Sequence, residues 1–128
     1  MKIYKIAISC MALAFALNTQ AATFSDTYTQ CMDKSEGITA NMLDCMSSEI
    51  TYQDKLLNIY YKKAKAVLDK KGQKLLLNEQ RAWLKYRDAR TAFISGTAEG
   101  SMGTLQTQST FLEMLGNRVD ELKEIYSE

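Results

Sequence analysis

Histidine is absent from this 128-residue chain, and proline is absent too. Without histidine there is no imidazole base, no Ser–His or Cys–His nucleophile pair, and no supply of the commonest zinc ligand. Without proline no helix need be kinked or broken from within. Glycine is sparse at six residues. The three glycines Gly96, Gly100 and Gly103 match neither a phosphate-binding loop nor a dinucleotide fingerprint. Paired carboxylates are the remaining route to catalysis, as in glycoside cleavage. The 15 acidic residues, however, are scattered along the chain as a solvated surface would have them. The expectation is a non-enzymatic protein without cofactor or metal, acting by binding.

The N-terminus is laid out as a secretory signal. Lys2 and Lys5 precede an apolar run from Ile6 to Leu17, and Thr19 and Ala21 occupy the −3 and −1 positions of a cleavage site. The run is shorter than the roughly 20 residues that span a bilayer as a helix. Cleavage is expected after Ala21, with Ala22 as the alternative. Residues 1–21 are thus a signal peptide, residues 22–128 one exported domain, and the compartment is the periplasm. Losing Lys2 and Lys5 takes the basic count from 16 to 14 against 15 acidic residues. That balance argues against nucleic acid and supplies no stable membrane anchor after cleavage.

Cys10 leaves with the signal, so two cysteines remain. Cys31 and Cys45 each lie seven positions from Ile38, within a plausible inter-helix turn at Gly37-Ile38-Thr39. Residues equidistant from the turn of an antiparallel helix pair face each other, and an exported chain favours oxidation. A disulfide closing this loop could contribute about 3 kcal/mol.

The apolar spacing predicts an all-α bundle of about four helices. Ser25 or Asp26 caps the first, which ends near Gly37. Thr39 caps the second, whose stripe is Met42, Met46, Glu49, Gln53, Leu56/Leu57, Tyr60, Ala64 and Val67/Leu68; Lys70-Lys71-Gly72 ends it. The third runs from about Gln73 to Ile94, with Gln80, Trp83, Leu84, Arg87 and Thr91 on one face. Gly96 to Gly103 reads as a long breaker loop. The last helix carries Phe111, Leu115, Arg118, Leu122 and Ile125.

Two arginines on apolar stripes need acceptors. The register about Gly72 brings Arg87, Trp83 and Arg118 toward Tyr60, with Gln53 and the Tyr60 hydroxyl as the best-placed acceptors and Glu49 and Asp88 as sources of charge. Glu49, Gln53, Tyr60, Gln80, Trp83, Arg87, Asp88 and Arg118 are therefore expected to form a structural polar network. The lysines from Lys62 to Lys74 read as a solvated helix face and end.

Four pieces of the sequence resemble one family in the family's own order. They are Cys31 and Cys45 followed by Glu49; Leu57-Asn58-Ile59-Tyr60-Tyr61-Lys62; Gln80-Arg81-Ala82-Trp83 with Arg87-Asp88-Ala89; and Phe111-Leu112-Glu113-Met114 with Arg118 and Glu121-Leu122. The family is the LprI-like group of helical lysozyme-inhibitor domains. The resemblance implies a protein partner, a lysozyme, held without cofactor. Members often carry a second cysteine pair where this chain has Thr91 and Thr110. A lysozyme cleft contains two carboxylates, and the protrusion able to fill it is the loop around Glu99, Ser101 and Met102. The alternative is an envelope binding or immunity-type module for another exported protein, or a structural helper at the cell envelope.

Overall fold

The computed structural model describes residues 21–127. Residues 1–20, on which all of the expected signal segment but Ala21 falls, together with Cys10, lie outside the described residues. Four helices follow in order: α1 (Asp26–Lys34), α2 (Thr39–Val67), α3 (Lys70–Thr97) and α4 (Gly100–Ser127). No strand occurs among the described residues. No helix there is long and apolar enough to cross a membrane.

Ser25 caps α1, its side chain accepting from the Tyr28 N–H. The chain reverses through Glu36 and Gly37, both at positive φ, with the glycine free of the steric cost. The Cys31–Cys45 disulfide ties α1 to α2 across this turn, with Cα atoms 5.7 Å apart. Ile38, not Thr39, is the N-cap of α2, and it has no side-chain cap bond.

The α2–α3 boundary differs from the sequence expectation. Helix α2 ends at Val67, Leu68 is extended, and Asp69 caps α3 by accepting from the Gly72 N–H at 2.7 Å. Lys70, Lys71 and Gly72 are therefore the first turn of α3 rather than the end of α2. A side-chain acceptor for an orphan N–H outweighs the weaker signal of lysines followed by glycine. At its other end α3 runs on to Thr97, and α4 begins at Gly100.

Helix α4 packs most extensively on α2 and less on α3, whereas α2 and α3 touch little. The α4 side chain of Gln108 donates to the Leu43 carbonyl near the start of α2, and Lys123 lies over the Tyr60 ring near its end. Those contacts make α2 and α4 parallel. Helix α3 lies antiparallel along α4, as Gln80 opposite Arg118 and Arg87 opposite Phe111 require. The central core is Leu57, Ala64, Leu76, Leu115, Val119 and Leu122, flanked by Tyr60, Trp83 and Phe111. Val67, placed on the core stripe by spacing, is 55% exposed because α2 ends there.

Candidate functional site

The expected single polar network is two separate clusters and a stacked arginine. The first cluster centres on Glu49, buried in α2. Its carboxylate accepts from the Ser25 N–H at 3.0 Å, from the Ser25 hydroxyl, and from Gln53 Nε2 at 2.8 Å. Gln53 Nε2 also reaches the Thr23 carbonyl at 3.2 Å, while the Thr23 N–H donates to Asp120 on α4. These bonds strap residues 22–25 across α2 and α4. Gly116 makes the strap's approach possible, since a Cβ there would lie 2.7 Å from Phe24 and 2.9 Å from Ala22. With Ser25 at the N-cap, Glu49 also sits at the positive end of the α1 dipole, which offsets part of its desolvation. Tyr28, stacked edge-on against Phe24, has its hydroxyl pKa pushed up by burial and by the Glu49 carboxylate.

The second cluster centres on Arg118, 3% exposed on α4. Its Nε donates to Gln80 Oε1 at 2.9 Å, and its Nη1 to Glu79 at 2.9 Å and Glu121 at 2.8 Å. Arg87 joins neither. It pairs with Asp88 at 2.8 Å, and its guanidinium lies 5.3 Å from the Trp83 ring centre and 4.7 Å from that of Phe111. Cation–π stacking supplies what the sequence reading sought from Gln53 and the Tyr60 hydroxyl. Tyr60 instead has Lys63 and Lys123 beside its ring. Glu79, Glu121, Ser25, Asp120 and Phe111 are thus partners that helix register alone did not single out.

The segment Gly96–Gly103 is a tight link rather than a long loop. Only Ala98 and Glu99 lie outside helices. Gly100 takes a φ of +65°, and a Cβ on Gly103 would meet the Ala98 backbone at 2.7 Å. Two of the three glycines therefore fasten the turn instead of loosening it. Glu99, Ser101 and Met102 form the exposed tip of the α3–α4 hairpin, with Met102 73% exposed.

Behind the tip lies a groove of about 420 Å³ between α2, α3 and α4, lined by Ile50, Thr91, Ser95, Thr104, Thr107, Gln108 and Phe111 among others. Three of its hydroxyls spend their hydrogen on their own helices: Thr91 to the Arg87 carbonyl, Thr104 to Gly100 and Thr107 to Gly103. Gln108 spends amide hydrogen on Leu43. What the three threonines leave for a ligand is acceptor oxygens, while Gln108 keeps its second amide hydrogen and its carbonyl oxygen. The groove suits a guest that both donates and accepts, such as an amide.

The sequence profile of a family described as lysozyme inhibitor LprI matches residues 31–122. The chain belongs to the LprI family. The matched region runs from the first disulfide cysteine to the core residue Leu122, and so contains both disulfide cysteines, Glu49 and Gln53, the whole Arg118 cluster and the α3–α4 tip, while the strap residues Thr23 and Ser25 precede it. An inhibitor family rather than a catalytic one agrees with a chain in which no histidine occurs. No curated protein and no solved structure matches the chain.

Proposed function

We propose that this LprI-family protein is exported to the periplasm and binds a lysozyme-type peptidoglycan hydrolase, blocking its cleft with the α3–α4 tip. The family match over residues 31–122 carries the reading. The chemistry of the tip supports it. Gly100, Ser101 and Met102 begin α4, so their backbone N–H groups lack intrahelical acceptors and sit at the positive end of the helix dipole. Donors and partial positive charge are what the two carboxylates of a glycosidase cleft require. The first turn of α4 contains no acidic residue, and Glu99 just ahead of it is the one carboxylate at the tip. Met102 supplies apolar contact, and the polar groove behind the tip offers the threonine oxygens and the Gln108 amide to the rim of a partner.

The test replaces Glu99–Met102 with a short Gly-Ser linker in oxidised protein and measures lysis of peptidoglycan. Inhibition by the parent chain that falls at least about tenfold in the variant, a loss of 1.4 kcal/mol, supports the tip. Undiminished inhibition by a variant with unchanged helicity assigns the activity to another surface.

A further inference from the structure

The near-neutral balance of the chain conceals a strongly cationic helix. Helix α3 carries seven basic residues, namely Lys70, Lys71, Lys74, Arg81, Lys85, Arg87 and Arg90, against Glu79 and Asp88. Both acids are already committed, Glu79 to Arg118 at 2.9 Å and Asp88 to Arg87 at 2.8 Å. Helix α4, by contrast, has four acidic residues and two basic ones. The two helices thus differ in sign, and α3 is the most strongly cationic of the four.

An apolar line runs along the same helix. Leu75, Tyr86 and Phe93 are 58%, 63% and 62% exposed. They stand eleven and seven residues apart, close to three and two whole turns, so they share one face over about 27 Å. Exposed Ala82 and Ala89 fill the line between them. Lys74, Arg81 and Lys85 flank it on one side and Arg90 on the other, with the Arg90 guanidinium 5.9 Å from the Phe93 ring centre. The buried residues Leu76, Gln80 and Ile94 point elsewhere, into the bundle.

We propose that this outer face of α3 docks on an anionic lipid bilayer. Charge complementarity selects an anionic partner and disfavours a second copy, which would bring two cationic helices together. The shape selects a bilayer. A single convex helix with a straight apolar line and basic flanks settles into a headgroup layer, apolar side chains inward and cations at the phosphates. The attachment is peripheral and reversible, and lies on a different face from the α3–α4 tip.

The test is vesicle sedimentation with protein from residue 21 onward, which carries the whole described fold. Vesicles are phosphatidylcholine alone or phosphatidylcholine mixed with phosphatidylglycerol. The expected result is salt-sensitive binding to the mixed vesicles only. Lys74→Gln with Lys85→Gln should weaken it by about fivefold per lysine. Tyr86→Ser with Phe93→Ser should weaken it at every salt concentration, with helicity unchanged. Equal affinity for both vesicle types overturns the proposal, as does full binding by the Tyr86→Ser/Phe93→Ser variant. Self-association of the parent chain that this variant abolishes would assign the face to a second copy and also overturn it. Lysozyme inhibition, measured in parallel, should be the same in all variants, so failure of one reading is visible separately from failure of the other.

Discussion

Glu49 and Arg118 are both buried polar side chains in a small helical domain, and they are accommodated differently. Glu49 is held by hydrogen-bond donors from Ser25 of the N-terminal strap and from Gln53 one turn along α2; Arg118 reaches carboxylates that themselves remain about 60% exposed. Glu49→Gln should therefore destabilise the protein by about 2 kcal/mol, the size of a charge-assisted hydrogen bond exchanged for a mismatched neutral one. Urea denaturation checks this, and a change below about 0.5 kcal/mol, the range of ordinary surface substitutions, would contradict it. Tyr28 makes a pH prediction. Its pKa is raised above the ordinary 10.0 by burial and by Glu49, so the folded state holds the phenol neutral where the unfolded chain begins to ionise. The contribution is intact below about pH 10 and is lost as pH rises through the folded value. Tyr28→Phe should leave stability near neutral pH almost unchanged and shift alkaline unfolding to higher pH. An identical alkaline limit in both proteins would refute the coupling. At this scale the sequence revealed which polar side chains are buried, because Glu49, Gln53, Gln80 and Arg118 interrupt apolar stripes. It concealed their partners, because Ser25, Thr23 and Asp120 meet α2 only through the three-dimensional path of the strap.

The helices and the disulfide follow from local rules, whereas the joints between elements depend on competition among signals. Cys31 and Cys45 were legible as a pair because a turn midway between them sets them level. The end of α2 was not, since Gly72 after two lysines resembles a helix stop while Asp69 is the stronger helix start. Gly96–Gly103 shows the same ambiguity. Glycine marks both flexible chain and places where backbones must touch, and only Gly103 against Ala98 reveals the second role. The same substitution at two of these glycines should accordingly have opposite signs. Gly96→Ala lies within α3 with open space around it, and should stabilise by about 0.5–1 kcal/mol. Gly103→Ala meets backbone, and should destabilise by about 1–3 kcal/mol despite the better helix propensity. Thermal melts of the two variants decide this, and two stabilising changes would mean that the turn is loose.

For the whole molecule, the all-α architecture was readable from periodicity, yet the packing order was not. Helices α2 and α4, distant in sequence and parallel, form the main pair, while the consecutive α2 and α3 touch little. Short connections suggest neighbours; the arrangement of large side chains such as Leu115, Val119 and Leu122 decides which neighbours bury the most area. That arrangement leaves α3 at the outside with its cationic face free, and projects the α3–α4 tip with a polar groove behind it. The groove left little trace in the sequence, because its hydroxyls are spread over α3 and α4 and acquire a common direction only on packing. The proposed division of labour is a tip for a lysozyme cleft and a basic helix for an anionic surface. The measurement that bears on it most directly is inhibition of peptidoglycan lysis across a panel of lysozymes, using oxidised protein beginning at residue 22. Saturable inhibition of at least one lysozyme class at micromolar protein or below is the expected result. No inhibition of any class at that concentration would contradict it.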